Sequence, residues 1–172
     1  MNRSINRMPL GDGLSPTSAN FAIMARTEQQ VSGKPVMLPN YNVFDAFSVR
    51  VDGRWVTLTG KVTHPATKAE AEHALRRIVG ATAVNNQIEV LPWSPNDERL
   101  RKSLYRAVYG HPALETLAIR AVPPIHLIVE NGHVTLEGAV PDAVAKSIAE
   151  VQANSVSGVF SVTNKLLVDS PA

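Results

Sequence analysis

The pentapeptide "VTLTG" at Val56–Gly60 returns as "VTLEG" at Val134–Gly138, 78 residues further along the chain. At the same offset, further identical residues occur on both sides of the pentapeptides, and the alignment needs no insertion or deletion. A gap-free repeat over about forty residues indicates a duplicated structural unit. The sequence therefore predicts two copies of one module, preceded by an N-terminal piece without a counterpart. The repeated positions include Val51/Val129, Val62/Val140, Lys68/Lys146, Glu72/Glu150, Gly80/Gly158, Asn86/Asn164 and Val90/Val168.

Each copy begins with the pattern of a β-hairpin. Apolar and polar residues alternate over 47–51 and 56–62, and the second copy repeats this over 125–129 and 134–140. Alternation at period two is typical of a half-buried strand. The runs are separated by the dipeptides Asp52-Gly53 and Asn131-Gly132. Such dipeptides favour tight hairpin turns because both residues tolerate positive φ.

A helix and a closing strand follow each hairpin. Apolar residues recur at helical spacing over 65–79 and 141–156, then alternate over 84–90 and 162–168. Pro65 suits a first helical turn, while Gly80 and Gly158 suit a left-handed stop after each helix. Because a helix intervenes, each closing strand should join its hairpin through a right-handed crossover.

One more helix is predicted ahead of the second hairpin. Ser94 can cap it, Pro95 suits its first turn, and Asp97 places a negative charge at its positive end. Its buried stripe contains Leu100, Leu104 and Val108, and Gly110 should end it. The matching helix of the first copy should fall near residues 18–31, where the apolar stripe is weak.

These elements predict an α+β fold of two tandem αββαβ modules. Each module should be a small three-stranded sheet with helices packed on one face. We place a weakly ordered segment or a degenerate first helix at 1–35, the first module at 36–91 and the second at 92–172. The joint "LPWSP" at Leu91–Pro95 is stiff because it contains two prolines. A single module is marginal in size, so we expect the two to pack together, with Trp55 or Trp93 at the contact.

Composition narrows the possible functions. The apolar fraction of 44% is ordinary for a globular protein, and the net charge of +2 is too mild to indicate polyanion binding. The chain has no cysteine and no apolar run long enough to span a bilayer. Its early apolar run, 21–25, is too short for a recognisable secretory signal.

The histidines at 64, 73, 111, 126 and 133 lack zinc-binding spacing. We therefore expect them at surface or boundary positions, and we expect no metal or cofactor.

Several repeated residues have structural interpretations that compete with ligand binding. Gly60 and Gly138 within the strands more often mark a bend or bulge than a ligand contact. Lys68 and Lys146 each precede a glutamate by four residues, which predicts solvated ion pairs with Glu72 and Glu150. Asn86 and Asn164 lie among apolar strand residues, so we expect their amides to bond the backbone. No phosphate loop, dinucleotide fingerprint or nucleophile elbow is present, and no enzyme is predicted.

The only concentrated charge is a basic run on the helix ahead of the second hairpin. Helical spacing places Arg99, Lys102 and Arg106 on one side, with Arg101, Tyr105 and Tyr109 beside them. One interpretation is an ordinary solvated surface. The other is a surface for anionic headgroups, where the tyrosines would suit a membrane interface.

The hairpin, "VTLxG", helix and closing strand together resemble the BON (bacterial OsmY and nodulation) domain. The segments that carry the resemblance are "NGHVTLEGAV" at Asn131–Val140, "GVFSVTNKLLV" at Gly158–Val168, "LPNYNVFDAF" and "LPWSPNDERLR". The resemblance implies a tandem, non-catalytic protein of the bacterial envelope, periplasmic or secreted, associated with osmotic or envelope stress. It also implies phospholipid or an envelope protein as partner.

Three functions are therefore kept open. The first is an envelope module that binds anionic phospholipid weakly. The second is a protein-interaction scaffold that presents "LPNYNVF" and the joint to a partner. The third is a cytosolic nucleic-acid binder, permitted by the basic helix and the missing signal but disfavoured by the absent recognition motifs.

Overall fold

The computed structural model describes residue 38 and residues 40–52, 55–79, 83–120 and 123–169. Within this part, the fold class is α+β, as predicted. The helix expected near 18–31, Gly80 and the turn at Gly53 lie outside the described residues.

The first module is a three-stranded sheet with one described helix. Strands β1 (Ala46–Asp52) and β2 (Trp55–Val62) pair antiparallel, and β2 pairs parallel with β3 (Ala83–Val90). Helix α1 (Pro65–Val79) makes the crossover between β2 and β3. The hairpin, the helix beginning at Pro65 and the parallel closing strand are confirmed.

The second module repeats this connectivity after a leading helix. Its sheet order is β4-β5-β6, with β4 and β5 antiparallel and β5 and β6 parallel. The closing strand is broken in two, and a short unpredicted helix precedes β4. The elements are α2 (Pro95–Tyr109), α3 (Glu115–Ala118), β4 (Ile125–Glu130), β5 (His133–Val140), α4 (Ala143–Asn154), β6 (Ser161–Asn164) and β7 (Leu167–Val168).

The repeated asparagines fasten helix to strand in both modules. Asn86 Nδ2 donates to the Lys68 carbonyl at 3.0 Å and to Glu72 Oε2 at 3.1 Å, and its Oδ1 accepts from the Ile88 N–H at 3.2 Å. The predicted backbone-bonding role is therefore confirmed. Asn164 makes the equivalent bonds to the Lys146 carbonyl at 3.1 Å, Glu150 Oε2 at 2.9 Å and the Leu166 N–H at 3.1 Å.

The predicted lysine–glutamate ion pairs are wrong, because each glutamate bonds the repeated asparagine instead. Glu72 turns toward Asn86 and Arg76, whose Nη2 lies 2.9 Å from Glu72 Oε1. The hydrogen bonds from Arg76 and Asn86 hold the pKa of Glu72 below its ordinary value. Glu150 likewise accepts from Asn164. The repeat therefore preserves an amide–carboxylate contact between helix and strand.

The repeated strand glycines are required by the close approach of a neighbouring backbone. Gly60 has φ +144° and Gly138 has φ +116°, a region that side chains with a Cβ rarely adopt. A Cβ at Gly60 would lie 2.3 Å from the Ala46 carbonyl oxygen, and one at Gly138 would lie 1.9 Å from the Pro124 carbonyl oxygen. This geometry gives both glycines a structural role.

Gly158 does not end the helix directly. Helix α4 ends at Asn154, and its cap is Ser155 with φ −75°. Gly158 has φ +94° and lies in the turn that leads to β6. The predicted stop is therefore displaced into the following turn. At the second hairpin, Asn131 and Gly132 have φ 52° and 80°, so this turn matches the sequence expectation.

Each sheet buries the face that its helices cover. The first core lies between α1 and the sheet, and the second lies between α2, α4 and the sheet. The side chains of alternate strand residues enter these cores, which follows from the period of two. Core members include Val49, Val56, Leu58, Leu75 and Ile88 in the first module, and Leu104, Leu127, Leu136, Ala149 and Leu166 in the second.

The modules meet through their helix-free faces rather than through tryptophan. Ala46, Leu91 and Ile128 form a small buried apolar cluster, and Lys61 forms an ion pair with Glu130. The predicted placement of Trp55 or Trp93 at this contact is wrong, since their side chains are 66% and 78% exposed.

Residues 40–45 form a second connection between the modules. The buried Asp45 side chain accepts from the Thr63 N–H at 2.6 Å and from the Asn42 N–H at 3.1 Å, which folds this segment back on itself. Val43, held at the tip, is buried in the core of the second module. The scaffold hypothesis required "LPNYNVF" to be presented to a partner, but Val43 is used inside the protein.

His126 lies beside this segment at the contact. Its ring centroid lies 5.5 Å from that of Tyr41, and its Nδ1 is buried without a hydrogen-bond partner among the described residues. Burial lowers the pKa of His126, although the Asp45 and Asn42 carbonyls and the Asp45 charge oppose the shift.

We expect protonation of His126 to weaken the fold. The unfolded chain binds this proton near pH 6.5, while the folded protein binds it only at lower pH. The free energy of unfolding should be fully retained above about pH 6.5 and fall as the pH drops through the depressed pKa. Each unit of depression corresponds to about 1.4 kcal/mol.

Urea denaturation of wild type and His126→Gln across pH 7.5 to 5 measures this effect. The substitution should flatten the dependence, whereas His64→Gln, at an exposed position, should leave it unchanged. An equally steep dependence in His126→Gln would show that other groups cause it.

Candidate functional site

Helix α2, which carries the basic run, is held at its N-terminus as the sequence predicts. The Ser94 hydroxyl accepts from the Asp97 N–H at 3.3 Å, and Pro95 occupies the first turn. Leu100, Leu104 and Val108 are buried against the sheet. One side of the helix is thereby fixed, and the opposite side faces solvent.

Asp97 has a role that sequence reasoning missed. Its side chain is only 1% exposed and accepts from the N–H groups of Asn131 and Gly132 at 2.9 and 3.0 Å. It therefore satisfies two donors of the β4-β5 turn, which tethers the start of α2 to that turn. The sequence signal at Asp97, an acidic residue in the first turn of a helix, contains nothing about this long-range pairing.

Arg101 was predicted as a headgroup ligand, and the structure contradicts this. Its side chain is 3% exposed, and its Nη2 donates to the Val129 carbonyl at 2.8 Å. Its Nη1 donates to Glu98 Oε1 at 2.5 Å. A guanidinium that is buried and paired in this way contacts the sheet rather than a membrane.

Tyr109 was also predicted at the interface, and it too is buried. Its hydroxyl donates to the Ile125 carbonyl at 2.6 Å and accepts from the Ile125 N–H at 2.9 Å. Burial raises the pKa of Tyr109 well above its ordinary value, so the phenol remains protonated. The Tyr109 hydroxyl therefore satisfies the hydrogen-bonding capacity of both backbone groups of Ile125.

The Arg101 and Tyr109 side chains and the Val43 carbonyl together cover the edge of β4 that does not pair with β5. Ile125 bonds Tyr109, Val129 bonds Arg101, and the Leu127 N–H donates to the Val43 carbonyl at 2.6 Å. An uncovered edge strand would offer these groups to another chain. The covered edge also fixes the rotation of α2 about its axis.

The remaining predicted residues form an exposed basic ridge, defined as Arg99, Lys102 and Arg106. The ridge residues are three and four positions apart, so they lie on one side of α2. None of them forms an ion pair with a described residue. Tyr105 lies beside the ridge, 37% exposed, with its ring centroid 5.0 Å from that of Tyr109. The ridge can hold anionic groups by charge and hydrogen bonding.

A groove of about 440 Å³ between the helix-free sheet faces is the second candidate site. Its charges are largely paired, since Lys61 bonds Glu130 and Lys165 lies 3.8 Å from Glu137. The hydrogen bond to Glu130, with nearby carboxylates, raises the pKa of Lys61 and keeps it charged. Among the described residues, no group of three or more potential metal ligands is present. Its paired charges leave the groove less available to an anionic partner than the exposed ridge.

A family model for the BON domain matches residues 38–92 and 96–170, which is more than half of the chain. The chain belongs to the BON-domain family. Both matches cover the hairpin, crossover helix and closing strand described above. BON domains are associated with envelope and osmotic-stress proteins and are typically non-enzymatic.

Two solved structures are similar to this tandem BON protein, and both are of CdsD, a structural protein of the type III secretion system of Chlamydia trachomatis. The first, of the C-terminal domain, is 13% identical, covers 87% of this chain and 67% of its own, and has a TM-score of 0.33. The second is 13% identical, covers 88% and 93%, and has a TM-score of 0.30. Likeness at this level carries no argument about function. No curated protein matches the chain.

Within the described residues of this BON protein, no helix is both long and apolar enough to cross a bilayer. The exposed side of α2 carries the three cations of the ridge, and none of them forms an ion pair with a described residue.

We expect Tyr109→Phe to destabilise the protein by about 1–3 kcal/mol, because both backbone groups of Ile125 lose their partner. Tyr105→Phe is the matched control, since its exposed hydroxyl should contribute less than about 0.5 kcal/mol. Urea denaturation measures both. Equal stability of the two variants would contradict the assigned role of Tyr109.

Proposed function

We propose that this protein is a non-enzymatic component of the bacterial envelope that binds anionic phospholipid surfaces through the basic ridge. A periplasmic or secreted location is part of the proposal. The observation that carries it is the presence, on one side of a helix, of three exposed cations that have no ion-pair partner among the described residues. The opposite side of that helix is held against the sheet by Arg101 and Tyr109.

The binding free energy that the ridge alone can supply is modest. Lysine and arginine near an anionic membrane contribute about 1 kcal/mol each, so the ridge supplies about 3 kcal/mol. Partial insertion of Tyr105 would add about 1.5 kcal/mol. The total of about 4.5 kcal/mol corresponds to a dissociation constant of about 0.5 mM. Weak and salt-sensitive binding is therefore expected, with several copies on one membrane giving a tighter apparent affinity.

A second candidate function is a protein-interaction scaffold that uses the joint. Trp93 favours it, since 78% of its side chain is exposed on a segment stiffened by two prolines. Large aromatic side chains are enriched at protein interfaces. Nucleic-acid binding is less well supported, because the ridge lacks neighbouring aromatic residues arranged to stack successive bases.

Arg99→Glu combined with Lys102→Glu should abolish co-sedimentation with phosphatidylglycerol vesicles at low salt. The reversal replaces two attractions with two repulsions and touches no buried residue. Lys68→Glu with Lys165→Glu is the matched control, because it changes the net charge equally at positions away from α2. This control should retain most of the binding.

Three outcomes would contradict the proposal. The wild type could ignore phosphatidylglycerol vesicles at low salt, in which case the scaffold function would replace lipid binding. Both double reversals could weaken binding equally, which would remove the special role of the ridge. Duplex DNA could bind through the same ridge more tightly than vesicles, which would favour the nucleic-acid alternative.

A further inference from the structure

Helix α4 exposes two valines that its own module does not bury. Val144 is 66% exposed and Val151 is 62% exposed, with the exposed Ser147 between them. Their spacing places all three on one side of the helix, opposite Ala145 and Ala149, which are buried against the sheet. The valines are two helical turns apart and form what we term the valine pair.

The valine pair lies on the same side of the module as the basic ridge. Helices α2 and α4 cover the same sheet face and share one core, through Leu104 and Ala149 for example. The sheet is therefore behind both helices, and their exposed sides face away from it together. The ridge and the valine pair belong to one outer surface.

The two helices run antiparallel within this surface. Helix α2 begins at the β4-β5 turn, where Asp97 bonds Gly132, while α4 begins just after β5 ends, at the other end of the sheet. The Leu100 side chain, near the start of α2, lies against Gly158, just beyond the end of α4. Val151 therefore lies toward the Arg99 end of the ridge, and Val144 lies toward the Arg106 end.

We propose that the valine pair inserts into the bilayer while the basic ridge binds the headgroups, so that α4 is the apolar half of the membrane-binding surface. This inference rests on the proposed function. An anionic bilayer presents phosphates above apolar chains, and the surface presents cations beside apolar side chains. A soluble polyanion would make no use of the valines.

Charge also disfavours a second copy of this chain as the occupant. A symmetric contact through this surface would place two basic ridges in one interface, where the like charges disfavour association. The ridge has no partner charge among the described residues, so the repulsion would not be neutralised locally. An anionic bilayer is therefore the occupant that the surface chemistry favours.

Val144→Ser with Val151→Ser should weaken binding to phosphatidylglycerol vesicles about tenfold, because two partly inserted side chains are lost. Serine and valine have similar helix propensities, so α4 should be retained. Trp55→Ser is the control, since it removes a larger exposed apolar side chain, 66% exposed, from the first module. It should leave binding unchanged.

A labelling experiment tests insertion independently of any loss of stability. The chain has no cysteine, so Val151→Cys can carry a single environment-sensitive fluorophore without background labelling. On phosphatidylglycerol vesicles its emission should shift to the blue and be quenched by spin labels on the acyl chains. The same label at Trp55→Cys should show neither change.

The outcomes separate this inference from the proposed function. If the wild type binds vesicles but the Val151 label stays in water and the serine variant binds equally well, the insertion of α4 is wrong while lipid binding stands. If the wild type does not bind, both proposals fail. If the serine substitutions instead abolish a dimer seen by analytical ultracentrifugation, the valine pair is an interface between copies and the inference is overturned.

Discussion

The covered edge of β4 is the constraint on which the rest of the second module depends. Three of its outward-facing residues find their partners outside the sheet, in Tyr109, Arg101 and Val43. An open edge would leave these backbone groups to water or to another chain. Two of the partners belong to α2 and one comes from the segment that precedes β1. The same edge therefore orients a helix and ties the first module to the second.

The orientation of α2 decides which of its charges are available. Arg101 is drawn to the edge, and its charge is used within the fold together with Glu98. Arg99, Lys102 and Arg106 are rotated to the far side, where they have no ion-pair partner among the described residues. Residues that look equivalent in the basic run thus divide into structural and exposed groups, and only the exposed group can bind an anionic surface.

The sequence predicts the fold well because the same local patterns of hairpin, helix and strand occur in both copies of the repeat. The second hairpin turn, the crossover helices and the asparagine contacts depend on spacing within one module, and the structure confirms them. The errors concern long-range partners. Helical periodicity places Arg101 and Tyr109 beside the buried stripe, but it does not reveal that strand-edge groups of Val129 and Ile125 lie within reach. Likewise, the apolar character of Trp55 and Trp93 predicted burial at a contact that smaller side chains form.

Amide hydrogen exchange of the β4 strand tests the covered edge most directly. Successive N–H groups of a strand point to alternate sides, so the His126 and Ile128 amides face β5, while the Ile125 and Leu127 amides face outward. If Tyr109 and Val43 hold that edge, Ile125 and Leu127 should exchange as slowly as their neighbours. Rapid exchange of Ile125 and Leu127, with His126 and Ile128 still protected, would show an open edge and contradict the account.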